Sequence, residues 1–199
     1  MLTLYGPQPI DELQGMAETY FSSIKSGQSE PAPYKNIPIY RKEDLGKIIT
    51  IQSAQDQQSL ILSFPIKNEM QQYLTKPSSY VIDMLTRKDR DSLYEYLKTK
   101  SWITPSNGLT ASYGNLTYES LLTEDFSLFC IKFNLTKEGF ENYQQIVQET
   151  FQYLDLIKTE GIEEWRFKEM QKIEQLKFDN KTKSSPINTV INTILPLNN

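Results

Sequence analysis

The chain has 199 residues, 38% of them hydrophobic, with no histidine and one cysteine, which suits one large globular domain with a substantial core. Its 21 basic residues are scattered and outnumbered by 25 acidic ones, for a net charge of −4, so the basic stripe that nucleic-acid phosphates require is missing. No apolar run is long enough to span a bilayer, and the charges and prolines at residues 7–12 argue against a signal peptide.

The first half of the chain alternates between strand and helix patterns. "MLTLYG" (1–6) predicts a short strand, and the apolar period over residues 10–24 predicts a helix. Residues 26–46, with three prolines near their start and middle, predict an extended connector. "KIITIQSA" (47–54) and "QSLILSFPI" (58–66) then predict two strands separated by a polar loop.

A second helical region begins near Ser79, for which Ser78 or Ser79 is the predicted N-cap. The run Arg87–Asp91 alternates in charge and indicates a solvated segment or turn. We therefore predict two helices joined near this run.

Strand patterns return over residues 101–135, with a tight turn predicted at Asn107 and Gly108. In the stretch from Phe126 to Leu135 nearly every position is apolar, which predicts a strand covered on both faces. Thr136 is the predicted N-cap of the helix that follows.

The last third of the chain is predicted to be helical. A long helix extends to Ile157, and Gly161 breaks it. Ile162–Phe178 predicts another helix, and a last one begins after Pro186 and is cut short at Pro196. The order β-α-β-β-α-β-β-α-α indicates an α+β fold, a largely antiparallel sheet with helices packed on one face.

Catalytic side chains are scarce. Without histidine, the chain has neither a serine triad of the usual kind nor an imidazole zinc motif. Cys130 lies in an apolar strand pattern, which favours a buried structural thiol. The carboxylates of the late helix, Glu169 and Glu174 among them, are better explained as solvated surface groups. We expect no catalytic residue and no metal site in this chain.

The chain resembles the insulinase, or pitrilysin-type, zinc metallopeptidases in five stretches that keep the family's order and spacing. They are "MLTLYGPQPIDELQGMAETYFSSI", "LILSFPI", "SLYEYLKTKSWI", "NLTKEGFENYQQIVQETFQYL" and "GIEEWRFKEM". The resemblance implies one non-catalytic second domain over residues 1–199, truncated at both ends. It also implies that zinc belongs to a neighbouring catalytic domain or subunit, that the partners are this subunit and a peptide substrate, and that this chain alone is inactive.

The resemblance further places part of the chain near the anchor of the substrate's N-terminal end. An extended peptide is expected to pair with the strand after Gly108 by edge addition. Gly108→Val is expected to weaken peptide binding without unfolding the domain. Thr86, Asp89 and Asp91 stand where the family has a glycine-rich turn. The implied substrate contacts are Arg87, Asp91, Gly108, Leu109 and Thr110.

Two alternatives remain open at this point. One is a catalytically inactive scaffold or interaction protein of the same family, and the other is an unrelated α+β binding domain. The expected location is intracellular, with the cytoplasm favoured and the mitochondrion as the alternative. If a closing strand is missing, an open sheet edge and exposed apolar surface favour pairing or aggregation.

Overall fold

A computed structural model describes residues 2–25, 27, 40–54, 56–67, 69, 72, 74–114, 127–183 and 185–197. The chain divides into two compact units, of which the first comprises Met1–Ile37 and Glu174–Asn199 and the second comprises Pro38–Ile173. The single domain over residues 1–199 stays a prediction.

The first unit contains helix α1 (Ile10–Phe21) and helix α7 (Pro186–Leu197). Helix α1 confirms the first predicted helix and begins with two acidic residues in its first turn, where they complement the helix dipole. Helix α7 continues through Pro196, so the prediction that it stops at this proline is wrong. Proline keeps a helical φ there, although residue 196 then has no N–H to donate to the helix.

The strand predicted at the start of the chain is absent over residues 2–6. Leu2, Leu4 and Tyr5 are exposed there, and no strand of the described part pairs with them. An apolar segment becomes a strand only where a second strand takes its backbone hydrogen bonds, so this prediction is wrong for residues 2–6. Met1 lies outside the described residues.

The second unit is built on a three-stranded antiparallel sheet in the order β1-β3-β2. The strands are β1 (Gln58–Ile66), β2 (Leu109–Gly114) and β3 (Ser127–Leu135). Ile131 of β3 is level with Leu62 on one side and with Ala111 on the other. Strand β1 confirms its prediction, and β3 confirms the predicted strand from residue 127 on, while Phe126 lies outside the described residues.

Strand β3 occupies the centre of this sheet, and all of residues 127–131 are buried. The prediction that both faces are covered is confirmed for these residues, whereas Lys132 is exposed and Asn134 is half-buried. Its core face carries Phe129, Ile131 and Phe133, which meet Leu85, Leu97 and Ile146 from the helices. The helices of this unit are α2 (Pro77–Thr86), α3 (Leu93–Thr99), α4 (Lys137–Glu141) and α5 (Tyr143–Glu160). Helix α6 (Glu164–Asp179) has no buried residue and crosses the division between the two units. The antiparallel sheet with helices on its apolar face confirms the predicted α+β class.

The predicted N-cap of the second helical region is wrong. Lys76, with φ of 42°, precedes the helix, and Pro77 takes its first position, which suits a residue without an N–H. Ser78 Oγ instead donates a 2.5 Å hydrogen bond to Glu69 Oε1, and Ser78 N–H donates to Glu69 Oε2 at 3.3 Å. The carboxylate of Glu69 therefore satisfies the start of α2.

The strand predicted for residues 47–54 is also wrong. The described residues 47–53 form no strand, and Ile48, Ile49 and Ile51 are 79–82% exposed. A short 3-10 turn, Lys42–Asp44, precedes them, and most of the predicted connector lies outside the described residues. β-branched residues favour extended backbone, but their burial in a sheet needs a neighbouring strand that the described residues do not supply.

The helix after β3 begins as predicted but is interrupted. Thr136 Oγ1 accepts a 3.0 Å hydrogen bond from Gly139 N–H, which confirms Thr136 as the N-cap. Asn142 separates α4 from α5. Gly161, with φ of 74°, ends α5 as predicted, because this left-handed backbone suits glycine.

Candidate functional site

Strand β2 lies at an edge of the sheet. One side pairs with β3, and among the described residues no strand pairs with the other side. Thr110, Ser112 and Tyr113 are exposed along β2. An edge strand presents unpaired N–H and C=O groups, which are a template for another extended chain.

One hydrogen bond shows which residues of β2 direct their backbone groups to the free side of the strand. Asn134 N–H donates to Gly108 C=O at 2.9 Å, so the backbone of Gly108 faces β3. Backbone groups alternate in direction along an antiparallel strand. Leu109, Ala111 and Tyr113 therefore turn their N–H and C=O groups to the free edge, at intervals of about 7 Å.

The opposite edge of the sheet, formed by β1, is less suited to accept a strand. Pro65 is the register partner of Leu128 in β3. Because backbone directions alternate along β3, the N–H and C=O groups of Leu128 face β2. The backbone of Pro65 therefore faces away from β3, where proline offers no N–H. The free edge of β1 lacks a donor at this position, whereas the edge of β2 has donors at all three of its outward positions.

The turn before β2 is held from two sides. It covers residues 105–107, and Asn107 has φ of 54°, a conformation that asparagine tolerates. Tyr94 Oη donates to Pro105 C=O at 2.5 Å, and Asn134 Nδ2 donates to Asn107 C=O at 2.6 Å. The structure thus confirms a turn at Asn107 and fixes where β2 begins.

Gly108 is required because of close packing. Its φ is not in the left-handed region, but a Cβ at this position would overlap the carbonyl oxygen of Thr104 and lie 3.0 Å from Ile103 Cβ. The expectation that Gly108→Val leaves the domain folded is therefore wrong, since valine would displace the turn that positions β2. This variant cannot separate binding from folding.

Arg87 and Asp91 lie in the turn between α2 and α3, which confirms the predicted joint. Arg87 is the C-cap of α2, and its guanidinium pairs with Asp89 and contacts Met84 Sδ at 3.8 Å. Its side chain is only 21% exposed. Asp91 is exposed. The charge run therefore forms a turn with internal partners.

The predicted substrate contacts fall into two segments on either side of α3 in the chain. Arg87 and Asp91 precede this helix, and Gly108, Leu109 and Thr110 follow it. Leu109 is 3% exposed and belongs to the core, so it offers its backbone to the edge, whereas Thr110 has an exposed side chain level with Lys132. Their contact with a peptide stays a prediction.

Clusters of metal ligands and membrane-spanning helices are both absent from the described ranges. Within them, no three His, Cys, Asp or Glu side chains lie close enough to hold a metal ion. Since the sequence also has no histidine, the residues present do not fit the zinc that the resemblance implies for the whole protein. None of the helices in those ranges is long and apolar enough to cross a membrane.

Comparison with known proteins identifies the family. The sequence profile described as the peptidase M16 inactive domain matches residues 1–174. The chain belongs to this family. The insulinase resemblance is thereby confirmed, and the M16 inactive domain accounts for most of the chain.

Individual relatives share this M16 domain at modest identity. The insulin-degrading enzyme of Drosophila melanogaster is 30% identical over 193 residues, which cover 97% of this chain and 18% of the enzyme. Insulin-degrading enzyme-like 1, peroxisomal, of Arabidopsis thaliana is 28% identical over 192 residues, which cover 96% of this chain and 19% of that protein. The crystal structure of pitrilysin shares the fold, with a TM-score of 0.68 at 19% identity over 94% of this chain and 19% of its own. The chain thus spans less than a fifth of these relatives.

Two edge residues of the M16 domain were missed by sequence reasoning. Ala111 and Tyr113 direct backbone groups to the free edge, yet neither was predicted as a contact. The outward direction depends on which strand pairs with β2 and in which register. The sequence offers one signal for them: Ala111 and Tyr113 follow Leu109 at intervals of two residues, so all three direct their backbone groups to the same edge. Which edge that is becomes known only when the backbone of Gly108 is seen to face β3.

Proposed function

We propose that this chain is the non-catalytic domain of an insulinase-type zinc metalloendopeptidase, that it forms part of the substrate chamber, and that it helps bind peptide ends. The free edge of β2 is the observation that carries this proposal. An extended peptide adds to this edge as a further strand and bonds to the backbone of Leu109, Ala111 and Tyr113. Because main-chain groups make these bonds, the edge accepts peptides of varied sequence.

The proposed division of labour, in which this chain binds the peptide and a partner cleaves it, is based on the metal-binding side chains that this chain lacks. This chain offers no imidazole and, within its described part, no cluster of metal-binding side chains. We place the zinc, and the water it activates, in a catalytic domain or subunit that is the partner of this chain. The role left to this chain is to hold the peptide while that partner cleaves it.

The edge is tested by comparing Tyr113→Pro with Tyr113→Val. Proline removes the outward N–H of residue 113 and leaves the β2–β3 hydrogen bonds in place, whereas valine keeps the N–H and removes only the ring. We expect Tyr113→Pro to bind fluorescently labelled insulin B chain about fivefold more weakly than Tyr113→Val, as one lost main-chain hydrogen bond implies. Fluorescence anisotropy measures both affinities.

The two variants serve as controls for each other. Both change an exposed side chain at an edge, so their urea unfolding midpoints are expected to agree. Equal affinity of the proline and valine variants for the B chain would remove the edge-addition proposal, because the outward N–H would then make no bond.

A second prediction concerns the chain by itself. We expect the purified 199-residue chain to retain far less than one zinc per chain and to leave insulin B chain intact. Metal analysis after gel filtration and mass spectrometry of the incubated peptide measure these two properties, with the insulin-degrading enzyme of Drosophila melanogaster as the positive control for cleavage. Stoichiometric zinc together with chelator-sensitive cleavage would contradict the proposed division of labour.

An interaction protein is the second candidate, and one observation favours it. Ile48, Ile49 and Ile51 are 79–82% exposed in a segment without a strand partner among the described residues. Such apolar surface marks a contact with another chain. A partner that co-purifies in fixed ratio and contains no zinc-binding motif favours this candidate over the chamber domain.

A further inference from the structure

A cavity of 260 Å³ lies between the start of α3 and the middle of α5. Its wall combines two carboxylates, two phenols and two leucines. They belong to Asp91, Glu149, Tyr96, Tyr153, Leu93 and Leu156. The volume is below the roughly 300 Å³ at which pockets for drug-sized ligands begin, so it suits a single side chain.

The two carboxylates leave the cavity negatively charged. Neither Asp91 nor Glu149 forms an ion pair with another residue of the described part. Glu149 Oε1 accepts a 3.2 Å hydrogen bond from Tyr96 Oη, which orients the carboxylate and leaves its second oxygen for a ligand. Two cations lie near this wall: Lys100 Nζ is 5.8 Å from the ring centroid of Tyr96, and the charge of Arg87, which pairs with Asp89, acts on Tyr153.

The phenols add no charge to the wall. Burial raises the pKa of Tyr153, although the charge of Arg87 opposes this. Desolvation and the hydrogen bond to Glu149 also raise the pKa of Tyr96. Both rings therefore stay neutral near pH 7. Tyr153 Oη donates to the main-chain oxygen of Met84 at 3.2 Å, which holds its ring in place.

We propose that this cavity takes one cationic side chain of a bound peptide, and that the guanidinium of arginine fits it best. A guanidinium forms charge-assisted hydrogen bonds with a carboxylate and stacks on aromatic rings, and both kinds of group line this wall. Leu93 and Leu156 offer apolar surface to the methylene stem. This inference rests on the proposed peptide-binding function and names a class of peptide for it.

The test uses two small probes that differ in charge and share their shape. N-acetylarginine N-methylamide and its citrulline analogue are titrated into the ¹⁵N-labelled 199-residue chain and followed by NMR. We expect the arginine probe to bind about tenfold more tightly, as one charge-assisted hydrogen bond implies, and to shift the amide signals of Tyr96 and Glu149. Raising the salt concentration is expected to reduce this preference.

A matched pair of variants locates the site. Glu149→Gln is expected to reduce the preference for arginine several-fold, because glutamine keeps the shape and still accepts from Tyr96 Oη while only the charge of Asp91 remains. Asp155→Asn removes one charge from the exposed side of the same helix and is expected to leave the preference unchanged. Equal binding of the two probes, or an unaltered preference in Glu149→Gln, overturns the assignment.

The result is separable from the proposed function. If insulin B chain binds the edge of β2 as described while the two probes bind equally, the cavity assignment fails alone. If neither the B chain nor the arginine probe binds, both proposals fail.

Discussion

Gly139→Ala is expected to lower the free energy of unfolding of the second unit by about 3 kcal/mol. A Cβ at residue 139 would overlap the carbonyl oxygen of Trp102, and it would lie 2.7 Å from the carbonyl carbon and 3.0 Å from the Cα of Trp102. These are main-chain atoms, so no rotamer change relieves the overlap. The helix α4 or the segment around Trp102 must move.

Neither segment moves without breaking other contacts. Trp102 C=O accepts a 3.1 Å hydrogen bond from Thr136 N–H, and Thr136 Oγ1 donates to Ser101 C=O at 2.6 Å. Trp102 and Ile103 are both buried, at 7% and 2% exposure. A shift that makes room for one methyl group therefore weakens the N-cap of α4 and the packing of two core side chains.

Urea unfolding followed by tryptophan fluorescence, to which the buried Trp102 and the exposed Trp165 both contribute, and by far-UV circular dichroism measures the effect. Gly15→Ala is the control, because Gly15 is also helical but a Cβ there meets no atom within 4 Å. We expect this control not to lower the unfolding midpoint, since alanine is the better helix former. An unchanged midpoint for Gly139→Ala would show that α4 and Trp102 separate at little cost.

The sequence predicts an element well when all of the residues that bury it belong to the second unit. The continuous apolar pattern of β3 belongs to the central strand. The apolar stripe predicted along the helix after it is correct only in part, because Ile157 is buried while Phe140 and Phe151 are 51% and 50% exposed. In β3 the local pattern and the tertiary contacts agree. The order of these elements was sufficient to predict the α+β class.

Predictions failed where a pattern needs a partner that the local sequence does not specify. Ile48, Ile49 and Ile51 have strand-forming side chains, but no strand in the described part of the chain pairs with them. The N-cap of α2 was assigned to a serine, whereas Glu69, nine residues before Ser78, satisfies the first turn. Propensity alone does not report such contacts.

The sequence predicts which segments form the candidate site, but it does not predict the contacts that these segments make. The resemblance implies that Gly108 and Arg87 contact the substrate, whereas the contacts seen in the structure give both residues a role in holding the fold. Gly108 is needed for the close approach of Thr104, and Arg87 pairs within its own turn. The hydrogen bond between Tyr96 and Glu149 joins residues 53 positions apart, so no short motif could reveal the cavity that they line.

Phe133→Ala is expected to destabilise the second unit by about 3–5 kcal/mol. Phe133 is 0% exposed at the centre of β3, and its register partners are Leu60 in β1 and Leu109 in β2. Cross-strand neighbours on one face contact each other directly. Removing the ring therefore opens a cavity where all three strands meet the helices, and rigid β-sheet backbone cannot collapse to fill it.

Phe140→Ala provides the matched control, since the same atoms are removed from a side chain that is 51% exposed on α4. We expect this variant to lose less than about 1 kcal/mol. Urea unfolding of both variants, with equal slopes against denaturant, gives the difference directly. If the two losses were equal, β3 would not form the centre of a close-packed core, and the edge of β2 would lose the rigid support on which strand addition depends.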